Sequence, residues 1–275
     1  MEQEQRALDS SPEPTNQSSK IDARSSRGTY RAQSSNTSGT KLSQKLSERS
    51  SSGTYIAQAT ASLVDKTKVI EVERIDVSAL PKRRFYHFVK RLFDIASCGA
   101  ALILLSPVML VIAAAVKLNS PGPVFYSQER LGKDGKPFML HKFRSMRVDA
   151  EANGAQWASD HDPRVTRVGA FLRKTRLDEI PQFWNVVKGD MSLIGPRPER
   201  EVFYKEFEKY IHGFSQRLTV KPGITGLAQV SGGYDLKPAE KIIFDIEYIK
   251  NQSFAMDINV IFKTFGVLFT HEGAR

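Results

Sequence analysis

Cysteine is almost absent from this sequence, which contains Cys98 and no other cysteine among its 275 residues. A single cysteine excludes an intramolecular disulfide and any metal site that needs several thiolates. The five histidines are scattered and no two of them are four residues apart, so a zinc site has little support. The first thirty residues contain no apolar core, and we therefore expect no secretory signal peptide there.

Large apolar residues are scarce before Leu63, where Ser, Thr, Gln and Gly dominate. Such a segment cannot bury enough apolar surface to offset the entropy lost on ordering, so residues 1–81 are predicted to form a disordered, Ser-rich tail. Alternating apolar and polar residues between Leu63 and Glu73 favour one short strand. Residues 24–33 (RSSRGTYRAQ) return in similar form at 49–58 (RSSSGTYIAQ). This repeat is either a docking or phosphorylation motif or a drifted duplication.

Charged residues are missing from Ile95 to Val116, a stretch long enough to cross a membrane. Ser106 and Pro107 interrupt this apolar run near its middle, and basic residues lie on both sides of it. Because basic flanks favour the cytoplasm, a simple span would leave one flank on the wrong side of the membrane. A helix that kinks at Ser106 and Pro107 and returns to the same face satisfies both flanks. We favour this re-entrant arrangement over a spanning helix or a buried core helix.

Residues 121–275 have the pattern of a small α+β domain that is mostly helical. Two strands, 124–128 and 138–143, flank a Gly-Lys-Asp-Gly turn and predict a hairpin. Helices are predicted at 166–175, 178–189, 199–212 and 238–250, with a rigid loop over 189–198. The apolar segment 257–269 is too short to cross a bilayer, so it is either part of the core or an amphipathic helix at the membrane interface.

Two adjacent carboxylates, Asp178 and Glu179, stand just before Pro181. Because proline is tolerated in the first turn of a helix, we predict a helix from about Asp178 to Gly189 with Asp178 at its positive end. Asp178 is then either a simple N-cap or part of a reactive site. Five basic residues at the ends of predicted elements favour the reactive site: Lys142, Arg144, Arg173, Arg176 and Arg197.

Carboxylates and cations together fit a phosphoryl-transfer site. In such a site cations neutralise the transferring oxygens, and a carboxylate binds Mg²⁺ or attacks phosphorus. The net charge of +10 and the pI near 9.6 agree with an anionic partner. Nucleic acid is disfavoured as that partner because the sequence has neither a stacking-aromatic motif nor a recognition helix.

Eight motifs in order over residues 82–275 resemble the bacterial sugar transferase family, the small monotopic polyprenyl-phosphate hexose-1-phosphate transferases. They are Lys90-Arg-Leu-Phe-Asp94, Ser106-Pro107, Gln128-Glu-Arg130, Lys142-Phe-Arg-Ser-Met146, Leu177-Asp-Glu-Ile-Pro-Gln182, Gly189-Asp-Met-Ser192, Gly195-Pro-Arg-Pro198 and Pro222-Gly-Ile-Thr-Gly226. The resemblance implies a basic lead-in and re-entrant helix over 82–120, packed with a catalytic domain over 121–275. It also implies a monotopic protein of the bacterial inner membrane, with its catalytic domain on the cytoplasmic face.

The resemblance further implies an Mg²⁺-dependent ping-pong reaction. Asp178 would attack the sugar-linked phosphorus of a UDP-sugar, release UMP and pass the sugar phosphate to undecaprenyl phosphate, the initiating step of exopolysaccharide, capsule or glycan synthesis. Glu179 is implied as its partner, and Asp178 also as the metal ligand. The phosphate or carboxylate neighbours implied are Lys142, Arg144, Arg173 and Arg197.

The sequence departs from the family at Ser231-Gly-Gly-Tyr234, where many members have Asn-Gly-Arg. A phosphate contact from that arginine is therefore lost at Gly233 or supplied elsewhere, for example by Lys237. An alternative function from another class is a catalytically weak membrane scaffold of a polysaccharide assembly complex. Assembly proteins and a second copy of the chain are its candidate partners. The transferred sugar stays open, because UDP-hexoses differ by only one or two contacts.

Overall fold

The computed structural model describes residues 69–152, 162–232 and 236–270, together with two short strands near the N-terminus. The helices are α1 (Arg84–Leu104), α2 (Ser106–Asn119), α3 (Arg167–Lys174), α4 (Gln182–Lys188), α5 (Glu201–Glu208), α6 (Leu227–Ser231), α7 (Pro238–Asn251) and α8 (Phe254–Thr270). The strands are β1 (Arg24–Ser25), β2 (Gly28–Thr29), β3 (Ile70–Glu71), β4 (Phe125–Leu131), β5 (Pro137–Phe143), β6 (Ser192–Ile194), β7 (Ile211–His212) and β8 (Gly223–Thr225). The prediction of a mixed, mostly helical fold is confirmed. The tail repeat, apart from β1 and β2, and the departure at Gly233 lie outside the described residues.

The apolar run forms two helices that meet at a sharp bend. The axes of α1 and α2 differ by 60° at Leu105, directly before the predicted break at Ser106 and Pro107. The Ser106 hydroxyl donates to the Ile103 carbonyl at 2.8 Å, while Pro107 has no N–H to continue the α1 ladder. Within the described ranges, no single helix has the length and apolarity of a membrane span, and only the bent pair meets that test jointly.

The bent pair is covered by the domain on one side and exposed on the other. Cys98 of α1 packs with residues of β5 and α4, and Ile112 and Val116 of α2 pack against Phe143 and Leu172. The remaining faces of both helices carry exposed large apolar side chains: Phe85, Phe88, Leu92, Ile103, Leu104, Leu110, Val111 and Leu118. An exposed apolar surface of this extent is typical of a face that contacts another molecule.

The predicted hairpin is confirmed as β4 and β5. They pair antiparallel from Phe125 opposite Phe143 to Leu131 opposite Pro137, around a 3₁₀ turn at Lys133–Gly135. The predicted rigid loop 189–198 differs from expectation because it contains β6, which pairs in parallel with β8. These parallel strands hold the Gly195-Pro-Arg-Pro198 segment against the turn before β8.

Residues 69–81 have a defined place against the domain, although they were included in the tail expected to be disordered. β3 pairs in parallel with β7, which confirms two residues of the strand predicted between Leu63 and Glu73. Val72 and Ile75 pack on the core cluster formed around Phe207 and Phe214. This burial of apolar side chains stabilises the segment and explains the difference.

Helix α8 has two apolar faces with different surroundings. Val260 is fully buried against Tyr248, whereas Phe254, Ile258, Phe262 and Phe265 form an exposed stripe at helical spacing. The sequence left open whether this segment is core or interfacial. The structure shows one buried face and one exposed apolar face on the same helix.

A buried carboxylate, Asp257, connects α8 to the beginning of α1. Its side chain accepts hydrogen bonds from Tyr86 at 2.8 Å, Lys90 at 2.8 Å and Tyr248 at 2.9 Å. These three partners satisfy the buried charge, as a carboxylate inside a protein requires. The exposed stripe of α8 is therefore fixed in orientation relative to the bent helix pair.

Candidate active site

The two carboxylates lie on a tight turn between α3 and α4. Leu177–Glu179 forms a 3₁₀ turn, and the residue before it, Arg176, has a left-handed backbone with φ 57° and ψ 15°. A non-glycine residue in this conformation is uncommon and is found at functional turns more often than elsewhere. Helix α4 begins at Gln182, four residues later than predicted, with Pro181 at its N-cap position. Asp178 therefore makes no capping hydrogen bond, and the simple N-cap interpretation is wrong.

Glu179 is held by two cations from distant parts of the chain. Its Oε1 accepts a hydrogen bond from Arg197 Nη2 at 2.6 Å and from Lys142 Nζ at 3.2 Å. Burial would raise the pKa of Glu179, but Arg197 and Lys142 more than offset this effect and hold that pKa well below its usual range. The ionised form of Glu179 is thus favoured, and its charge is neutralised locally by two cations.

Asp178 lies beside this ion-pair group but is not hydrogen-bonded to it. The residue is 7% exposed, and in the described part of the chain no hydrogen-bond donor reaches its carboxylate. Burial raises the pKa of Asp178 to about 6, and the charge of Glu179 adds to that effect, against the opposing influence of Lys142 and Arg173. The two adjacent carboxylates therefore differ in proton affinity, since the pKa of Asp178 is raised and that of Glu179 is lowered.

Arg197 is positioned by the interior of the domain. It lies between Pro196 and Pro198, and its backbone carbonyl accepts a hydrogen bond from Arg217 Nη2 at 2.9 Å. Arg217 in turn donates to Asp245 of α7 at 2.6 Å, and both side chains are buried. Sequence reasoning missed this pair. A signal was present, because Asp245 lies on the same face of α7 as Ile242 and Ile249, where an unpaired acid would be costly.

Asn185 fixes α4 against the strand that carries Lys142. Its Oδ1 accepts from the His141 backbone N–H at 3.2 Å, and its Nδ2 donates to the Met139 carbonyl at 2.7 Å. Asn185 is fully buried, so both bonds form away from water. This residue was also missed by sequence reasoning. It determines the distance between the turn of the carboxylates and Lys142.

The structure places the other predicted site residues differently. Arg173 lies in the last turn of α3, and its charge acts on the pKa of Asp178. Arg144 lies apart from the carboxylates: its guanidinium donates to the carbonyls of Pro121 at 2.6 Å and Ser120 at 2.7 Å. It thus caps the C-terminal end of α2, and its contact with phosphate stays a prediction. Ser106 belongs to the bend and has no contact with the carboxylates.

A second polar group lines the outer face of the hairpin next to Arg197. Arg130 pairs with Glu199 at 3.2 Å, and Arg200 pairs with Glu151 at 3.1 Å. The Glu151 carboxylate also accepts hydrogen bonds from Gln128 at 2.9 Å and from a tyrosine hydroxyl of β4. Gln128 and Arg130 belong to one of the motifs singled out in the sequence. Their contacts show that this motif orders a polar surface beside the ion-pair group.

The donor set allows a magnesium ion but not a closed metal site. Among the described residues, no group of three or more His, Cys, Asp or Glu side chains is arranged to hold a metal. Mg²⁺ commonly binds through one or two protein carboxylates together with waters and substrate phosphates. Asp178 fits this kind of binding because its carboxylate is not engaged with a described donor, whereas Glu179 is already paired.

Comparison with known proteins gives a family match over most of the chain. The family described as "Bacterial sugar transferase" matches residues 85–271. A UDP-N-acetylgalactosamine-undecaprenyl-phosphate N-acetylgalactosaminephosphotransferase of Aeromonas hydrophila is 45% identical over 217 residues, which are 78% of this chain and 51% of the relative. A UDP-glucose:undecaprenyl-phosphate glucose-1-phosphate transferase of Escherichia coli (strain K12) is 46% identical over 191 residues, 68% of this chain and 41% of the relative.

A shorter relative is matched over more of its own length. A putative undecaprenyl-phosphate N-acetylgalactosaminyl 1-phosphate transferase of Bacillus subtilis (strain 168) is 55% identical over 133 residues, 48% of this chain and 74% of the relative. This chain therefore spans about half the length, or less, of the two longer relatives and about three quarters of the shorter one. All three names include undecaprenyl phosphate; two of them name N-acetylgalactosamine as the sugar and one names glucose.

Proposed function

Because the chain belongs to the bacterial sugar transferase family, we propose that it transfers a sugar 1-phosphate from a UDP-sugar to undecaprenyl phosphate and releases UMP. The observation that carries this proposal is the pair of adjacent buried carboxylates with different surroundings. Glu179 is neutralised by Arg197 and Lys142, while Asp178 is buried without a described hydrogen-bond donor. A catalytically weak scaffold would have no need for a buried carboxylate kept in this state.

In the first half-reaction an ionised Asp178 attacks the phosphorus that bears the sugar. A bond forms between a carboxylate oxygen and phosphorus, the bond from phosphorus to the UMP oxygen breaks, and UMP leaves with the electron pair. Burial makes the Asp178 carboxylate poorly solvated and more basic than an ordinary aspartate, and both properties favour nucleophilic attack. The product is a sugar phosphate esterified to Asp178 as an acyl phosphate.

In the second half-reaction a phosphate oxygen of undecaprenyl phosphate attacks the same phosphorus. The bond to Asp178 breaks, the carboxylate is regenerated, and a diphosphate-linked sugar on the lipid is released. Arg197 and Lys142, held by Glu179, and Arg173 on α3 supply positive charge to the phosphoryl oxygens in both steps. A Mg²⁺ ion bound at Asp178 would add neutralisation of the donor diphosphate.

We place this reaction at the cytoplasmic surface of the bacterial inner membrane. The bend of 60° between α1 and α2 and the exposed apolar faces of both helices support a re-entrant insertion. The exposed stripe of α8 supports a second contact at the interface, where the lipid phosphate lies. Both substrates then meet at one level, since the UDP-sugar is soluble and the acceptor phosphate is at the bilayer surface.

The test is UMP release by the purified full chain across a panel of UDP-hexoses, with and without undecaprenyl phosphate. Without acceptor, one equivalent of UMP should be released, and the intact mass should increase by one sugar phosphate. Asp178→Asn should show neither event, because an amide cannot attack phosphorus. Asp149→Asn is the matched control, since Asp149 is an exposed aspartate outside the site. Multiple turnovers by Asp178→Asn would refute the covalent mechanism.

A further inference from the structure

A cavity of about 540 Å³ lies between the beginning of α1, the turn after β4 and the segment before β8. Its walls share no residue with the group formed by Asp178, Glu179, Lys142, Arg173 and Arg197. The proposed sugar-phosphate transfer therefore leaves this cavity without a role. We refer to it as the cationic cavity, because its lining is dominated by Lys and Arg side chains.

Six of the lining cations have no ion-pair partner in the described ranges: Lys82, Arg83, Arg84, Arg91, Lys133 and Lys221. Of these, Arg91 donates to the backbone carbonyls of Val186 and Val187. Asp94 is the one acidic residue in the lining, and its carboxylate is already engaged by the Leu193 backbone N–H at 3.0 Å. Other lining cations are committed as well: Lys90 pairs with Asp257 at 2.8 Å. The cavity thus holds an excess of positive charge that the surrounding side chains do not neutralise.

Arg83, Arg91 and Lys221 are the half-buried members of this set, whereas Lys82, Arg84 and Lys133 are exposed. Burial lowers the pKa of Lys221, and the charges of Arg91 and Lys133 lower it further. Like charges that converge on a partly buried space repel one another, and a bound anion would relieve that repulsion. An accumulation of unpaired cations in a cavity is therefore better explained by a ligand than by solvation of a surface.

We propose that the cationic cavity binds a phosphate-bearing anion. A phosphate group offers several oxygen acceptors to donors that approach from different sides, which suits cations contributed by three separate segments. The group has two candidate sources, the headgroup of an anionic phospholipid and a soluble phosphate compound. Phe85 and Phe88, exposed on the first turns of α1, favour the lipid source, and this preference rests on the proposed membrane placement.

The experiment titrates three probes into the delipidated, detergent-solubilised full chain: dioctanoyl-phosphatidylglycerol, dioctanoyl-phosphatidylcholine and inorganic phosphate. Binding is measured by the shift in melting temperature and by native mass spectrometry, with no UDP-sugar present. The test variant is Lys133→Gln with Lys221→Gln. The control is Lys136→Gln with Lys205→Gln, which removes the same charge outside the cavity. Arg197→Gln is included because phosphate could also bind beside Glu179.

We expect phosphatidylglycerol to bind more tightly than phosphatidylcholine, and the test variant to weaken its binding roughly 30-fold, about fivefold for each lysine. The control and Arg197→Gln should bind as the native chain does. A different result would support the site but assign it to a soluble phosphate compound: inorganic phosphate binds to the native chain and not to the test variant, and phosphatidylglycerol binds no more tightly than phosphatidylcholine. Equal binding of every probe by the native chain and the test variant would overturn the proposal. UMP release is not measured here, so failure of the proposed reaction would not be mistaken for failure of this site.

Discussion

Replacing Asp178 by asparagine should stabilise the protein while it abolishes turnover. Ionised Asp178 is buried without a described donor, and its pKa is raised to about 6 from the ordinary value of 3.8. A carboxyl whose folded-state pKa is raised contributes stability only while it is protonated, and that contribution is lost as the pH rises from about 4 through about 6. At neutral pH the native chain therefore carries the full cost of the buried charge, and the amide removes it.

The size of the effect follows from the shift in pKa. Two pKa units correspond to about 3 kcal/mol, an upper value because the amide itself needs hydrogen-bond partners. For a domain of this size each kcal/mol changes the melting temperature by about 2–4 °C, so we expect an increase of at most roughly 6–12 °C at neutral pH. Near pH 5 the gain should fall to about half, since most of the native Asp178 is then protonated.

The assay is thermal unfolding in detergent, measured for the native chain, Asp178→Asn and Glu179→Gln over a series of pH values. Glu179→Gln is the contrasting variant, because it leaves Arg197 and Lys142 without their carboxylate. Glu179→Gln should be less stable than the native chain at neutral pH, whereas Asp178→Asn should be more stable. A lower melting temperature for Asp178→Asn at neutral pH would refute the assignment of Asp178 as the destabilising, buried charge.

Three further predictions concern activity and topology. The kcat/KM for UMP release should fall about tenfold per pH unit below about pH 6, because protonated Asp178 cannot attack; a profile flat down to pH 5 would contradict this. Arg197→Gln should lower kcat/KM by about 100-fold or more, with Lys205→Gln as the control. It should also move the decrease in kcat/KM at low pH to a higher pH, because the charge of Arg197 lowers the pKa of Asp178. Loss of the fold would not produce that shift. In the native chain both termini should face the cytoplasm, and replacing Ser106 and Pro107 by leucine should make part of the population span the membrane. Reporter tags at both termini measure this. An external N-terminus in the native chain would refute the re-entrant proposal.

Local features of the chain were predictable because they depend on neighbouring residues. The bend at Ser106 and Pro107 follows from a proline that cannot continue the hydrogen-bond ladder, and the hairpin follows from a glycine-rich turn between two short strands. The start of α4 was misplaced because the left-handed backbone at Arg176 permits a 3₁₀ turn before Pro181. No propensity of the arginine side chain indicates that conformation.

The sequence by itself determined which residues are candidates: a carboxylate pair, several cations and an apolar run with a break. Only the tertiary structure decided which cation meets which carboxylate. Lys142 and Arg197 converge on Glu179 from a strand and a proline-bounded loop, whereas Arg144, two residues beyond Lys142, caps α2 instead. The difference between Asp178 and Glu179 is likewise decided by the tertiary structure, because both carboxylates are buried and only Glu179 forms ion pairs with the two cations.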